Sequence, residues 1–462
     1  MGNKKRQKIQ LELAFMTESR GETPRADMAG SETPMAPRNS ESPALPDLLM
    51  EQVCQRENLW KSLQRVKQNR GSCGIDGMTV KKLSGYLKKH WPQIREQLLQ
   101  GRYQPQPVRR VEIPKPDGGI RNLGIPTVLD RFIQQAVMQV LQQYWDRTFS
   151  EHSYGFRPGR SAHQVIAQAQ QYVEQGYLWV VDLDLEKFFD RVNHDKLMGR
   201  LAQRISDKRV LKLIRAFLNA GVMENGLVSA TREGTPQGGP LSPFLSNVVL
   251  DDLDRELERR SHRFVRYADD CNIYVRSERA GHRVMESISC FITRKLKLQV
   301  NQSKSEVGRP RECKFLGFRL VGGKATKRSI APVALTRFKK RVRQLTRRTR
   351  GVTVKQMIEQ VNRYLIGWRG YFGFCQTPSV LKELDSWIRR RLRSVAWKQW
   401  KRGKRRFAEL RKRGVGKDLS AQTAGSPHGP WCISRSPALS YAFPNVYFDK
   451  LGLAKLLDRL NA

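Results

Sequence analysis

The sequence predicts a mixed fold of strands and helices, of the α/β or α+β class. Across residues 108–320, short apolar runs of strand length alternate with amphipathic stretches of helical period. One helix in this region is marked at both ends, because Ser161 and Gln164 form a capping box and Gly176 suits the position after the last turn. An apolar run at residues 177–185 follows that helix and predicts a buried strand.

The regions on either side of this central part differ from it in composition. Residues 1–48 are rich in Pro, Ser, Glu and Met and have no sustained apolar period, which predicts a disordered tail. Residues 49–100 show helical periodicity and form a predicted N-terminal extension. Residues 324–415 predict amphipathic basic helices, and residues 416–462 predict a small lobe rich in aromatic side chains.

The net charge is +42, from 85 basic and 43 acidic residues among 462. A field that large indicates a polyanionic partner, of which nucleic acid is the commonest. Eight of the fourteen residues at 337–350 are basic, and residues 385–417 hold fourteen basic residues against two acidic ones. Trp387, Trp397 and Trp400 lie among them, which favours a nucleic-acid track over the alternative of a solvated basic surface.

Cysteine usage and hydropathy exclude several classes of protein. The seven cysteines are dispersed and form no C-x-x-C pair, so a zinc ribbon or a cysteine-clamped nuclease has no ligands here. An odd, scattered set fits a reducing cytoplasm better than a disulfide framework. No apolar run is long enough to span a bilayer, and the first ten residues lack the apolar region of a signal peptide. We therefore expect a soluble protein of the (bacterial) cytoplasm, with no membrane partner.

The central chemical feature is the adjacent pair Asp269 and Asp270. Two β-prone runs flank the pair, so both aspartates are predicted at the tip of a hairpin. An isolated Asp-Asp pair is more often an ordinary acidic turn. Here the flanks are apolar on both sides, which predicts a buried hairpin and a confined acidic site. Like charges held that close repel one another, and a divalent cation is the usual remedy.

A second acidic site lies upstream, where an apolar run ends in carboxylates. Asp182 and Asp184 share one face of the predicted strand, so the spacing alone leaves both open as site residues. Three carboxylates from two neighbouring strands can hold two Mg²⁺ ions. Such a pair of ions activates a primer 3′-hydroxyl and stabilises the leaving pyrophosphate in an in-line displacement.

These residues carry a resemblance to known proteins. Tyr267-Ala-Asp-Asp270, with Asp184-Leu-Glu-Lys-Phe-Phe-Asp190 upstream, resembles the palm of reverse transcriptases. Other segments narrow the resemblance to group II intron-encoded proteins, which combine reverse transcriptase and intron-RNA maturase activities. These segments are SYGFRPGR at 153–160, GTPQGGPLSP at 234–243, FLGF at 315–318 and, similar to the maturase region, NRYLIGWRGYF at 362–372.

The resemblance implies a right-hand polymerase fold of the α+β class. The fingers and palm are then expected at residues 101–323, a helical thumb or maturase domain at 324–415, and a small C-terminal DNA-binding lobe at 416–462. It also implies three partners, namely a group II intron RNA as template, a DNA target or primer, and dNTP substrates. The cofactor it implies is a pair of Mg²⁺ ions.

The resemblance assigns roles to individual residues. Asp184, preferred over Asp182 by its distance from Asp190, joins Asp269 and Asp270 as a catalytic metal ligand. Phe189 matches the bulky residue that excludes a 2′-hydroxyl. The other implied nucleotide-binding residues are Lys115 and Arg121 at the triphosphate, Gln237 against the incoming nucleotide and Lys304 near the pyrophosphate. In the predicted thumb, Arg389, Arg390, Arg391 and Arg393 are expected to bind nucleic acid.

The C-terminal segment departs from the pattern of many group II intron proteins, which end in a Cys- and His-bearing DNA endonuclease domain. Residues 431–437 and 445–449 instead resemble the bacterial class that lacks the endonuclease. A pre-existing primer, such as a nascent replication strand, is then expected. The alternatives are a retron, diversity-generating or CRISPR-associated reverse transcriptase, against which residues 362–372 argue, or a splicing-only maturase, against which the three carboxylates argue.

Overall fold

The computed structural model describes residues 48–114, 119–224, 227–229, 233–235, 238–322 and 325–457. The predicted disordered tail lies outside these residues except for Leu48, and so do the predicted site residues Lys115 and Gln237. The chain divides into two units. The first contains the described residues up to Val165 together with Val181–Val307, and the second contains Ile166–Val180 and the described residues from Gly308 onward.

The elements follow one another in a mixed order of helices and strands, which confirms the predicted α+β class. Before the central carboxylates they are α1 (Leu49–Val53), α2 (Arg56–Asn69), α3 (Leu83–Leu99), β1 (Val108–Pro114), β2 (Ile120–Ile125), α4 (Val128–Trp145), α5 (Ala162–Glu174) and β3 (Trp179–Leu183). Next come α6 (Phe188–Arg191), α7 (His194–Ala202), α8 (Lys208–Asn219), β4 (Val222–Glu224), β5 (Leu227–Ser229), α9 (Ser242–Arg259), β6 (Arg263–Tyr267) and β7 (Asp270–Val275).

The remaining elements are mostly helical. They are α10 (Glu278–Phe291), β8 (Glu306–Gly308), β9 (Phe318–Val321), β10 (Lys327–Ile330), α11 (Pro332–Leu345), α12 (Val354–Phe372), α13 (Pro378–Gln399), α14 (Gly403–Lys412), α15 (Lys417–Gly425), α16 (Pro430–Ile433), α17 (Pro437–Ala442) and α18 (Asn445–Lys450). No helix in the described ranges combines the length and the apolar character that crossing a membrane requires.

The helix marked by the capping box forms as predicted. The backbone N–H of Ser161 donates to the Gln164 side chain at 2.7 Å, and the backbone N–H of Gln164 donates to the Ser161 hydroxyl at 3.4 Å. Gly176 closes the helix with a φ of +90°. The strand that follows is shorter than predicted, because the N–H of Tyr177 is bonded back to the helix and Leu185 forms only an isolated bridge.

Two sheets organise the first unit. One has the strand order β6-β7-β3-β8, and the other has the order β2-β1-β4-β5. Residues Cys271–Val275 of β7 are all buried, so side chains on both faces of this strand, including the polar Asn272, are enclosed. The antiparallel hairpin of β1 and β2 pairs Ile113 with Arg121.

In the second unit, α11, α12 and α13 share one hydrophobic core. Phe338, Ile358 and Leu392 are fully buried in it. The C-terminal helices contribute to the same core through residues such as Leu439 and Phe448. The basic helices are therefore amphipathic, as their sequence predicts, with an apolar face packed inward.

Candidate active site

Asp269 and Asp270 lie at the tip of a tight hairpin, as predicted. The antiparallel pairing of β6 with β7 ends at Tyr267 and Asp270, which leaves Ala268 and Asp269 as a two-residue turn. Ala268 has a φ of +60°, a left-handed conformation that costs a residue with a Cβ atom about 1–2 kcal/mol. Something in the surroundings must therefore hold this turn in place.

The side chain of Arg266 supplies that support from inside the protein. It is fully buried on β6, and its Nη1 donates to the carbonyl oxygen of Ala268 at 2.8 Å. Its Nε donates at 2.7 Å to Asp254, which is also fully buried, on α9. Further bonds go to Asn247 at 3.1 Å and to the Ser153 hydroxyl at 2.7 Å. The turn, α9 and the segment around Ser153 thus meet at one guanidinium.

The electrostatics of this buried pair differ between the two partners: burial raises the pKa of Asp254, and the charge and hydrogen bonds of Arg266 oppose that rise. Desolvation by itself would lower the pKa of Arg266, yet that pKa is raised because the carboxylate of Asp254 and its hydrogen bonds hold the proton. A bidentate guanidinium–carboxylate contact is among the strongest hydrogen-bonded pairs in proteins. The pair therefore fixes the register of β6 against α9 rather than acting as a proton donor.

The SYGFRPGR segment packs directly on the turn. A Cβ atom at Gly155 would lie 2.2 Å from the backbone nitrogen of Ala268, a distance no side chain can occupy. The carbonyl of Gly155 accepts a hydrogen bond from Asn247 at 2.8 Å. The glycine is thus required by close backbone approach, and the segment packs against the turn at Ala268.

The second acidic segment lies beside this hairpin, because β7 and β3 are neighbours in the sheet. In the amide orientation that satisfies its surroundings, Asn272 on β7 donates to Asp182 on β3 at 3.0 Å. Burial raises the pKa of the Cys271 thiol, and the carboxylates of Asp254, Asp182 and Asp270 raise it further. Asp182 therefore already has a hydrogen-bonding role within the sheet, whereas Asp184 follows the last residue of β3.

The turn that carries Lys304 is hydrogen-bonded to both the backbone N–H and the backbone carbonyl of Asp184. The backbone N–H of Asp184 donates to the Ser305 hydroxyl at 3.0 Å, and the N–H of Asn301 donates to the Asp184 carbonyl at 2.8 Å. Lys304 itself is exposed on this turn. The structure thus brings two predicted site residues, Asp184 and Lys304, into one local unit.

The donor chemistry of the three predicted ligands suits a hard cation. Asp184, Asp269 and Asp270 offer carboxylate oxygens, the ligand type that Mg²⁺ prefers, and all three are at least partly exposed. Within the described ranges, however, no three His, Cys, Asp or Glu side chains already converge closely enough to hold an ion. The assignment of these three residues as metal ligands stays a prediction.

Phe189 lies against the GTPQGGPLSP segment. It is the second residue of the short helix α6, which follows the left-handed residue Lys187, and it is half-buried. The N–H of Thr235 donates to the carbonyl of Phe189 at 2.6 Å. Gly234, with a φ of +92°, passes so close that a Cβ atom there would lie 2.9 Å from the same carbonyl oxygen. The segment is therefore anchored by backbone contacts to Phe189.

The middle of the same segment, at Gly238, lies against the β1–β2 hairpin. A Cβ atom at Gly238, whose φ is +134°, would lie 2.7 Å from the carbonyl oxygen of Gly124 on β2. A Cβ atom at Gly239 would lie 2.3 Å from Oε1 of Gln134 on α4. The backbone of Arg121 belongs to this hairpin, while its side chain, like Lys115 and Gln237, lies outside what the structure describes.

The predicted nucleic-acid-binding arginines of α13 are half-buried rather than fully solvated. Arg391 donates to the Thr346 hydroxyl at 2.6 Å, and Arg393 donates to the Phe443 carbonyl at 3.0 Å. Arg390 donates to the Trp431 carbonyl at 3.1 Å and Arg389 to the Ser386 hydroxyl at 3.3 Å. Binding of nucleic acid by these four residues stays a prediction, and their internal bonds show that they also stabilise the second unit.

Sequence reasoning did not single out Arg266, Asp254 or Ser305 as site residues. For the first two a signal was present, because a charged side chain inside an apolar strand is costly unless it is paired. Arg266 stands in such a strand, and Asp254 lies on the apolar side of α9. The role of Ser305 depends on where its turn meets Asp184, and no local pattern indicates that contact.

Two regions of the chain match models of known protein families. Residues 113–320 match a family model described as "Reverse transcriptase (RNA-dependent DNA polymerase)". Residues 335–414 match a model described as "Group II intron, maturase-specific domain". The first match contains the aspartates and the glycine-rich segment, and the second contains most of the basic helices.

Two similar proteins come from bacteria. "Protein YkfC" of Escherichia coli is 34% identical over 287 residues, which are 54% of this chain and 75% of that protein. "Group II intron-encoded protein LtrA" of Lactococcus lactis is 30% identical over 321 residues, which are 55% of this chain and 53% of LtrA. The chain thus spans about three quarters of the first relative and about half of the second.

A solved structure titled "Partial Cas6-RT-Cas1--Cas2 complex" aligns over 54% of this chain and 43% of that chain, at 26% identity and a TM-score of 0.35.

Proposed function

Because the chain belongs to the group II intron-encoded reverse transcriptase and maturase family, we propose that it copies its intron RNA into DNA and binds that RNA to assist splicing and mobility. The observation that carries the proposal is the clamped turn of Ala268 and Asp269 beside the strand that ends before Asp184. A polymerase needs carboxylates held in fixed positions, whereas a protein that only binds RNA does not need them.

Asp184, Asp269 and Asp270 would hold two Mg²⁺ ions. When bound, these ions would activate the primer 3′-hydroxyl and offset the charge that develops on the leaving pyrophosphate. The protein's own contribution is positional. Arg266 and Gly155 hold the turn that carries Asp269, and the Asn301–Ser305 turn holds the backbone of Asp184.

The nucleotide would lie between Phe189 and the hairpin of β1 and β2. The backbone contacts of Gly234 and Gly238 support this position, since they anchor one segment to Phe189 at one end and to Gly124 at the other. Lys304, exposed on the turn bonded to Asp184, would meet the phosphate tail as a point charge. Lys115, Arg121 and Gln237 complete the proposed nucleotide site.

The partners proposed for the whole protein are the intron RNA template, a DNA target or primer and dNTPs. The net charge of +42 and the maturase-specific match support an RNA partner.

The experiment that tests the proposal separates the two activities. Wild-type protein and an Asp269→Asn, Asp270→Asn double variant are assayed for primer extension on an RNA template, for intron-RNA affinity and for splicing of the intron RNA. The wild type should show all three activities, and the double variant should lose extension alone, because neither RNA binding nor splicing needs nucleotidyl transfer by the protein.

Two results would contradict the proposal. A wild type that binds and splices but never extends a primer would be a splicing-only maturase. A double variant that loses RNA binding together with extension would show that the two activities share one site, against the division proposed between the carboxylates and the basic helices.

A further inference from the structure

A pocket of about 290 Å³ lies in the second unit, next to the basic helix α13. Three arginines and two tryptophans contribute most of its wall. The lining residues are Arg343, Thr346, Arg348, Trp387, Arg391, Ser394 and Trp431. This volume is close to the lower limit of about 300 Å³ for small-molecule sites. The pocket can therefore hold one small chemical group but not a helical duplex.

The positive charge in this pocket is built into the fold. Arg391 donates from Nε to the Thr346 hydroxyl at 2.6 Å and from Nη2 to the Thr346 carbonyl at 3.3 Å. Thr346 is fully buried, so these bonds fix the plane of the guanidinium. Arg343 and Arg348 are exposed, and neither makes an ion pair with any residue that the structure describes.

The three guanidinium groups lie close enough to repel one another. Burial lowers the pKa of Arg391 to about 10, and the charges of Arg343 and Arg348 contribute to that decrease. Like charges brought together without an acidic neighbour are a cost to the folded protein. An anion in the pocket would remove that cost, and a phosphate suits the planar, multiple donors of arginine.

The tryptophans add a second requirement for the ligand. The Arg391 guanidinium carbon lies 5.4 Å from the Trp387 ring and 6.0 Å from the Trp431 ring. Trp431 also packs against Arg390 at 3.8 Å, which orients its ring, and 36% of Trp431 remains exposed. Flat aromatic and guanidinium surfaces beside phosphate donors are the chemistry that captures unpaired nucleotides.

We propose that this pocket binds one unpaired nucleotide of a single-stranded nucleic acid, with its phosphate on Arg343, Arg348 and Arg391 and its base against Trp387 or Trp431. The inference extends the proposed function, since it names one contact of the second unit with the RNA. The pocket lies apart in the sequence from the carboxylates of the polymerase site.

The test measures how tightly the full-length protein binds short labelled oligonucleotides. The probes are a single-stranded RNA, a DNA of the same sequence and a blunt RNA duplex. One variant combines Arg343→Gln with Arg348→Gln, and a second variant carries Trp431→Ala alone. The matched control is Lys355→Gln with Lys382→Gln, which removes the same two charges from exposed positions of α12 and α13 outside the pocket.

For the single strand, Trp431→Ala should weaken binding about tenfold, the order expected for losing one stacked base. The arginine pair should weaken it at least as much and lower the salt slope by about 0.7 per lost phosphate contact. Duplex binding should change no more than it does in the control. If the pocket substitutions weaken binding of the DNA strand less than binding of the RNA strand, the nucleotide comes from the template RNA.

Pocket variants that bind the single strand as tightly as the control would overturn the inference. If the wild type nevertheless copies and splices intron RNA, only the assignment of the pocket fails and the proposed function is unaffected. If the pocket variants bind the single strand more weakly than the control does, but the wild type neither copies nor splices intron RNA, the inference about the pocket is supported and the proposed function is overturned.

Discussion

Arg266 and Asp254 form an ion pair in which both side chains are fully buried, and the same guanidinium holds the turn that carries Asp269. A charge with no access to water is strongly destabilising when its partner is removed. The pair also joins β6 to α9, so the hairpin cannot move along the helix without breaking it. Stability and the position of the proposed active site therefore depend on one interaction.

The first prediction concerns this pair. Arg266→Lys should lower the free energy of unfolding by about 3 kcal/mol, because a lysine cannot reach Asp254, Asn247 and Ala268 at once and leaves Asp254 poorly paired. Urea unfolding measures the loss. Where the variant is folded, the Mg²⁺ concentration that gives half-maximal primer extension should rise, as expected if the turn is mispositioned.

A purely structural role would give a different result. The fraction of folded protein would fall, but the folded fraction would extend primers with the wild-type dependence on Mg²⁺. That outcome would remove Arg266 from the set of positioning residues.

The second prediction concerns Gly155. Gly155→Ala should displace the turn, because the new Cβ atom would lie 2.2 Å from the backbone nitrogen of Ala268, and backbone cannot yield as a flexible side chain does. Primer extension should fall about a hundredfold, the loss that follows from misplacing a reacting group by about 1 Å. Gly85→Ala is the control, since a Cβ atom on this residue of α3 meets nothing within 4 Å. Equal activity of the two variants would contradict the proposed packing.

The third prediction concerns Phe189. Phe189→Val should raise the incorporation of ribonucleotides relative to deoxyribonucleotides, because a smaller side chain would leave room for a 2′-hydroxyl. The measurement is the ratio of kcat/KM for the two nucleotides on one template. An unchanged ratio in an active variant would instead assign Phe189 to packing against Phe188, whose ring centroid lies 5.2 Å away.

The fourth prediction is a pH dependence of stability. Arg209 bonds to Glu51 at 2.7 Å and to Asp207 at 2.9 Å, which joins α1 to α8. Its hydrogen bonds lower the pKa of Glu51. Burial alone would raise the pKa of Asp207, but hydrogen bonds from Arg209 and from the N–H of Met50 lower it. Glu51 is the more exposed partner and contributes less, because water screens it.

The sign of the effect follows from these directions. Carboxyl groups with lowered pKa values stabilise the fold above their unfolded values of about 4, and the contribution is lost as pH falls through the folded values. Arg209→Gln should therefore lower the free energy of unfolding by about 2 kcal/mol at pH 7, and the difference from wild type should shrink below about pH 4. Arg215→Gln, which breaks an exposed pair on the same helix, is the control. A difference that is independent of pH would contradict the ionic origin.

The hairpin of Asp269 and the capped helix α5 were predictable because their signals are local. A two-residue turn between apolar runs and a Ser161–Gln164 capping box each define a structure within a few residues. The clamp around Arg266 was not predictable in the same way. Its partners, Ser153 and Asp254, are 113 and 12 residues away along the chain, and only the folded sheet brings them together.

The basic helix α13 shows another limit of sequence patterns. Its arginines predict a basic face that binds nucleic acid, yet Arg393 donates to a carbonyl that lies 50 residues further along the chain. Arginine can satisfy backbone carbonyls with part of its fork and still present charge to a ligand, and composition does not distinguish these uses. The same helix therefore serves both the core of the second unit and, as proposed, the nucleic acid.

Primer extension on an RNA template with Mg²⁺ tests most directly whether Asp184 and Asp269 are catalytic. Asp184→Asn and Asp269→Asn should each reduce the rate by about a thousandfold or more, since each removes a charge from the proposed metal site. Thermal unfolding and intron-RNA affinity should remain those of the wild type. Asp182→Asn is the comparison, because Asp182 bonds to Asn272 within the sheet and should keep most of the activity. Extension near the wild-type rate by Asp184→Asn or Asp269→Asn would contradict the assignment of this site as the polymerase centre.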